Sequence, residues 1–241
     1  MTIPTEISVS YDLTNSIFDA IAGRYDRTNT LISLGFDRLW QRKLVQEVQK
    51  VSHNRILDLA CGTGQLTRKL GELEGAMVTG LDPSVNMLSV AKRGIEGKAN
   101  IDYCEGYAES LPFPDNSFEV ITISYGIRNF ADREASFRQA LRVLRPGGYI
   151  FVLEFSLKGG SGAQFAFQRF YIHNLLPLLG WLSTGEKRSY RYLRDSVESF
   201  PSPGDICHQM AGIGFINVEH VRLVPGVAVL FTGQKENDDR F

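Results

Sequence analysis

Between Arg55 and Ile95 the chain repeats one grammar: a short apolar run, a tight break, then a stretch of helical periodicity. The first run, Arg55-Ile-Leu-Asp-Leu-Ala-Cys61, ends in Gly62-Thr-Gly64 and passes into a helical stretch through Leu70. The second, Val78-Thr-Gly-Leu-Asp82, ends in an acid. It is followed by a helix from Pro83 to Ile95, with Ser84 near its start and Gly97 just past its end. Further strands are expected at Ile101 to Cys104 and Phe118 to Ser124, separated by the turn-rich Leu111-Pro-Phe-Pro-Asp-Asn116. After a helix around Glu134 to Leu144, Arg145-Pro-Gly-Gly148 stops the chain, and a fifth strand runs from Tyr149 to Phe155. Strands that alternate with helices of this length pair in parallel through right-handed crossovers. The expected fold is therefore α/β, a doubly wound, mostly parallel sheet.

The flanks complete a single domain of 241 residues. Apolar residues recur at helical spacing from Asn15 to about Lys50 (Ile17, Phe18, Ile21, Leu31, Leu34, Leu39, Leu44, Val48), which predicts a helical cap over residues 1–50 ahead of the core at 51–156. The alternation breaks over 157–201, a helical insertion after strand 5. Residues 202–241 return to the sheet with a helix near Pro203 to Ile213, a strand Ile216 to His220, and a strand Gly226 to Thr232. The short connection between those two strands suits an antiparallel hairpin and makes the sheet seven-stranded.

Composition removes several function classes. A net charge of -1 offers no basic surface for nucleic acid. The three cysteines, Cys61, Cys104 and Cys207, are too scattered for a disulfide framework or a metal site, and the four histidines lack metal spacing. A reducing, cytoplasmic setting is expected, without a cleaved signal or a membrane span.

Gly62-Thr-Gly64 alone is a weak signal, since such loops serve nucleotides, other anions and simple turns. In a dinucleotide fingerprint the third glycine would fall at Thr67, whose side chain would hinder close helix–strand packing. Asp58 would repel a pyrophosphate but attract a cationic ligand such as S-adenosylmethionine, with its sulfonium and ammonium groups. Its other reading is a cap on the loop's backbone amides. Asp82 stands where a carboxylate takes both hydroxyls of a ribose, and alternatively where it would N-cap the next helix.

Beyond the fold, the chain resembles the ubiquinone/menaquinone biosynthesis C-methyltransferases (UbiE/MenG), class I S-adenosylmethionine-dependent enzymes. The resemblance covers nearly the whole length. It is carried by Phe18-Asp-Ala-Ile-Ala-Gly-Arg-Tyr-Asp26 with Asn29 and Arg38-Leu-Trp40, Leu57-Asp-Leu-Ala-Cys-Gly-Thr-Gly64, Ala108-Glu-Ser-Leu-Pro-Phe-Pro-Asp115, Ile123-Ser-Tyr-Gly-Ile-Arg-Asn129 and Ser189-Tyr-Arg-Tyr-Leu193. It implies C-methylation of a prenylated quinol ring, demethylmenaquinol or the equivalent ubiquinone-pathway benzoquinol. It implies S-adenosylmethionine contacts at Thr63, Asp82, Tyr107 with Ala108, and Ser124, with Gly62 and Gly64 forming the loop. Tyr107 departs from the small polar residue expected there, which points to a backbone contact. Cys61 stands where glycine is common and reads as a packing residue.

Methyl transfer to a ring carbon needs an electron-rich acceptor, best supplied as a phenolate, so a cation near the ring oxygen is useful. Arg128 suits that role because it follows the fourth strand at the carboxyl edge. The bland reading is a structural ion pair with a carboxylate such as Asp132. Asn129 could hold a ring oxygen or a water, and Tyr25, Asp26 and Asn29 could close over the acceptor; Asp26, His173 and water all stay open as the base. In the insertion, Phe167, Phe170, Tyr171, Leu175, Leu178, Leu179 and Leu182 form one helical stripe. Such a stripe is core or lid, or else a channel for a prenyl tail or a peripheral contact with a membrane surface. A homodimer stays open. Competing readings are a methyltransferase for another phenolic acceptor, a non-catalytic cofactor-binding assembly protein, and an NAD-dependent oxidoreductase, the last disfavoured by Asp58 and Thr67.

Overall fold

The computed structural model describes residues 30, 33, 35–156, 158 and 194–237. The strands are β1 (Arg55–Leu59), β2 (Met77–Asp82), β3 (Ile101–Glu105), β4 (Phe118–Ser124), β5 (Leu144–Phe155), β6 (Phe215–Leu223) and β7 (Ala228–Lys235). The helices are α1 (Phe36–Val48), α2 (Gln65–Leu70), α3 (Val85–Arg93), α4 (Arg133–Val143) and α5 (Pro203–Ile213). The strands form one seven-stranded sheet in the order β3-β2-β1-β4-β5-β7-β6. Pairing is parallel from β3 through β5, and β7 is antiparallel to both β5 and β6. This is the expected α/β architecture, including the closing hairpin.

The central strands are apolar on successive residues because both faces are covered. On one face Leu57, Leu59, Ile121, Ile123, Ile150 and Val152 pack against Phe137 and Ala140 of α4 and Ile206 and Met210 of α5. On the other, Ile56, Val78, Val120, Phe151 and Leu153 meet Leu44 and Val48 of α1, Leu66 and Leu70 of α2, and Leu88 and Ala91 of α3. Each fully buried aliphatic side chain contributes about 1.5–3 kcal/mol before chain entropy is set against it. In α1 the spacing Trp40, Leu44, Val48 places one apolar face inward.

The hairpin strands, expected at Ile216 to His220 and Gly226 to Thr232, run Phe215–Leu223 and Ala228–Lys235, and two further boundaries differ from expectation. Arg145-Pro-Gly-Gly148 does not end the ladder: β5 already begins at Leu144, opposite Phe118, and its register shifts before Tyr149 pairs with Val120. The break is a bulge within the strand, with Gly147 at φ 76°. The helix expected from Pro83 to Ile95 is the shorter α3, N-capped by the Ser84 hydroxyl, which accepts from the Met87 amide at 3.0 Å. The cap predicted over residues 1–50 is described only in α1 and isolated residues before it, and most of the insertion lies outside the described residues, as do Tyr25, Asp26, Asn29, His173 and the Phe167–Leu182 stripe.

Strand order reverses at β1, which has β2 on one side and β4 on the other. Crossovers leave in opposite directions there, so a crevice opens at the carboxyl ends of these strands, where doubly wound sheets bind ligands.

Candidate active site

The loop after β1 leaves the sheet in a sharply turned conformation, with Ala60 at φ 53°, Gly62 at 55° and Gly64 at 76°. The Cys61 amide donates to Leu81 O (3.1 Å) and the Gly64 amide to Cys61 O (2.9 Å). The need for glycine is steric as well as conformational. A Cβ at Gly64 would stand 2.1 Å from the Tyr103 hydroxyl oxygen, and one at Gly80 would stand 2.5 Å from the Tyr103 ring. Tyr103 therefore crosses β2 and props the loop from beneath, and burial pushes its phenol up to about 12.

Asp82, 7% exposed, ends β2 and ties two neighbouring segments together: Oδ2 accepts from the Gly62 amide at 2.8 Å and Oδ1 from the Ser84 amide at 2.9 Å. It is not the N-cap of α3, since Ser84 fills that position. Its carboxylate faces the glycine loop at the switch point, where a diol could share it. The Asp82 carbonyl accepts from the Gly106 amide (3.2 Å), which brings the β3 loop alongside. In that loop Tyr107 bridges Ser110, and Ala108 is buried in the core.

Asp58 is 1% exposed, more deeply buried than Asp82. The register sets it opposite Thr122 of β4 and Gly80 of β2. Its oxygens accept from the Thr67 hydroxyl at 2.6 Å and the Thr122 hydroxyl at 2.7 Å. Burial pushes its carboxyl up to about 6 against the pull of those hydroxyls, with Asp82 pushing further up. In place of the loop amides expected of a cap, Asp58 binds two threonines and so anchors α2 through Thr67, and its carboxylate places a buried negative charge beneath the loop. Thr67, read from sequence only as bulk where a dinucleotide site wants glycine, is a hydrogen-bond donor to that charge. Burial, with Asp82 and Asp58 adding to it, holds the Cys61 thiol well above its ordinary range, which suits a packing residue.

At the end of β4 the Ser124 hydroxyl is shielded from solvent and has no hydrogen-bond partner among the described residues. An orphaned hydroxyl costs about 1–3 kcal/mol unless a ligand satisfies it. Next to it Tyr125 takes φ 60°, unusual for a bulky residue, and strain of this kind clusters at functional sites. A single 3-10 turn, Ile127–Asn129, then carries Arg128 and Asn129. The Arg128 side chain is 5% exposed and paired at 2.7 Å with Glu154 of β5, which is fully buried. Asp132, the partner anticipated from sequence, instead caps α4 by accepting from the Ala135 amide at 2.9 Å. Tyr125 stacks on Phe155 (4.8 Å between centroids), Phe155 meets Trp40 edge-on (5.9 Å), and Trp40 donates to Val224 O (2.7 Å). Sequence reasoning missed Glu154 and this aromatic wall. The available signal was a carboxylate inside an otherwise apolar strand, which must be paired if it is buried.

The groups present fit S-adenosylmethionine: a diol-sized carboxylate at Asp82, a glycine cradle, a buried anion for a cationic ligand, and an orphaned hydroxyl at Ser124. The sheet has the fold of the class I methyltransferases, and these groups stand at the edge where such sheets bind ligands. Among solved structures, an S-adenosylmethionine-dependent methyltransferase of Thermotoga maritima shares the fold with a TM-score of 0.65 at 20% identity, over 92% of this chain and 99% of that one. The chain belongs to the ubiE/COQ5 methyltransferase family, whose model matches residues 7–235. It is 42% identical to a demethylmenaquinone methyltransferase of Thermus thermophilus, over 91% of this chain and all of the relative (100%). It is 36% identical to a ubiquinone/menaquinone biosynthesis C-methyltransferase of Shewanella sediminis, over 93% of this chain and 91% of the relative.

Proposed function

We infer that this protein is an S-adenosylmethionine-dependent C-methyltransferase acting on the ring of a prenylated quinol. The observation that carries the reading is the junction of two half-sites at one sheet edge: a carboxylate-and-glycine crevice after β1 and β2, and a buried cation, Arg128, after β4. Full-length relatives named for this reaction support it.

S-adenosylmethionine supplies a methyl group activated by its sulfonium charge. Asp82 takes the ribose hydroxyls, the Gly62–Gly64 loop allows close backbone approach, and Thr63, Tyr107, Ala108 and Ser124 complete the cofactor's surroundings. Asp58 contributes through its charge, since it is more deeply buried than Asp82 and its oxygens are turned to the Thr67 and Thr122 hydroxyls. Arg128 draws a ring oxygen of the acceptor toward its ionised form, which raises electron density on the ring carbon to be methylated. Asn129 orients that oxygen, and Tyr25 and Asp26 close over the ring. The work is done in the cytoplasm, with the Phe167–Leu182 stripe in peripheral contact with the membrane that dissolves the prenyl tail. Among the described residues no helix is long and apolar enough to cross a membrane.

The test incubates the protein with methyl-labelled S-adenosylmethionine and reduced demethyl naphtho- and benzoquinols, each with and without a prenyl tail, and follows label into the ring by mass spectrometry. Ring methylation by wild type that falls at least 100-fold in Arg128→Ala is the expected result. Cofactor binding with no labelled quinol would overturn the acceptor assignment.

A further inference from the structure

Strand β5 buries Ile150, Phe151, Val152 and Leu153 and then, in the same run, buries Glu154 completely (0% exposed). A carboxylate taken out of water costs several kcal/mol unless its lone pairs are filled. Glu154 fills them on two elements at once. Oε1 accepts from Arg128 Nη1 at 2.7 Å and from the Phe155 amide at 2.7 Å, and Oε2 accepts from the Arg128 amide at 3.4 Å. The same Nη1 donates to Tyr125 O at 2.8 Å, and the guanidinium carbon lies 5.8 Å from the centroid of the Phe155 ring.

Glu154 thus grips Arg128 by side chain and backbone together, and through Arg128 it reaches the carbonyl of Tyr125, the residue held at φ 60°. It bridges the turn that carries the acceptor-side cation to the strand beside it. We propose that Glu154 is a positioning residue for the methyl transfer: it fixes where the Arg128 guanidinium stands at the crevice and tempers the charge the acceptor oxygen meets. The inference rests on the quinol reading above. A structural ion pair would do no more than hold two strands together, and apolar residues of the same volume often replace such pairs without loss. This pair instead lies next to the strained turn at the ligand-binding edge, and its cation is the group assigned to the ring oxygen.

Glu154→Asp keeps the charge and withdraws it by one carbon, whereas Glu154→Gln keeps the shape and removes the charge. Each is compared with wild type in kcat, quinol KM, the pH dependence of kcat, and S-adenosylmethionine Kd by calorimetry. In Glu154→Asp, kcat falls at least tenfold while cofactor Kd stays within twofold and the pH profile keeps its shape. In Glu154→Gln, kcat on the pH plateau falls because the neutral amide grips the Arg128 guanidinium less firmly, and the acidic limb moves to lower pH because the untempered cation ionises the acceptor more readily. In an Arg128→Gln background, Glu154→Asp brings no further loss of kcat, as expected for residues acting as one unit. If Glu154→Gln does not fold, Glu154→Asp and the double variant decide the matter. Wild-type kcat in Glu154→Asp, additive losses in the double variant, or equal losses of kcat and cofactor affinity would each overturn the proposal. Absence of ring methylation by wild type overturns the quinol reading, and this inference with it.

Discussion

The two halves of the crevice are built on different physical plans. The half after β1 and β2 is made of backbone amides and carboxylates held by short-range geometry: Asp82 accepts from Gly62 and Ser84 at 2.8 and 2.9 Å, and the loop turns on Gly62 and Gly64. The half after β4 is made of side chains held across strands, with Arg128 clamped by Glu154 and Tyr125 stacked on Phe155. The first half recognises a ligand by fixed dipoles. The second tunes one charge. If the division is right, damage to the first half appears in cofactor affinity and damage to the second in turnover.

The largest effect expected on the cofactor side is Asp82→Ala. It removes the acceptor proposed for the ribose hydroxyls and strands the Gly62 and Ser84 amides. Hydrogen bonds to a charged acceptor are worth about 1.5–3 kcal/mol each, so S-adenosylmethionine Kd rises by about 100-fold or more. Calorimetry on the folded variant checks this. A wild-type Kd with a collapsed kcat would break the division between the halves.

Gly64→Ala comes next. Its Cβ would meet the Tyr103 hydroxyl oxygen at 2.1 Å, and the position is at φ 76°. Loop and prop must shift apart, which costs about 2 kcal/mol in stability and weakens the cofactor severalfold. Adding Tyr103→Phe relieves the nearest clash but leaves the ring carbon 2.9 Å away, so rescue is partial. Thermal unfolding of the single and double variants reads the coupling. No rescue at all would mean that backbone conformation alone demands the glycine.

How much of each half was legible in the sequence follows the same division. The cofactor half could be read because its parts sit at strand ends a fixed grammar marks: Gly62-Thr-Gly64 after one apolar run and Asp82 after the next. Its hidden part was tertiary: the strand register sets Thr122 opposite Asp58, and the packing of α2 on β1 makes a donor of Thr67. On the acceptor side Arg128 and Asn129 stood out beside β4, but Glu154 is paired across strands, and no local pattern tells which cation a buried carboxylate will meet. The nearer Asp132 was a reasonable partner until α4 required it as a cap. The misplaced start of β5 has a similar cause. Pro146 and the glycines mark a break in the ladder, yet whether a break ends a strand or bulges it depends on the neighbour, here the first residues of β4.

The smallest effect is a pH dependence, and it tests whether the buried anion reaches across to the cofactor. Asp58 titrates near 3.8 when unfolded and is pushed up to about 6 in the fold, chiefly by burial. The folded state therefore holds this proton more tightly. The group's contribution favours folding most below about pH 3.8 and declines as pH rises toward 6, above which it is constant. Cofactor binding runs the other way, because a cationic ligand favours the ionised carboxylate. If binding draws the folded pKa of about 6 well below 5, the protonated fraction at pH 5 weakens S-adenosylmethionine by about tenfold relative to pH 8. Thr122→Val removes one of the two hydroxyls that stabilise the carboxylate, moves its titration higher, and carries the weak-binding range up with it. Asp58→Asn makes the affinity flat with pH. Calorimetric titrations from pH 5 to 8 on the three proteins decide between the two readings of Asp58. A flat profile already in wild type would leave it an anchor for α2 alone, its charge too well screened by Thr67 and Thr122 for the ligand to feel.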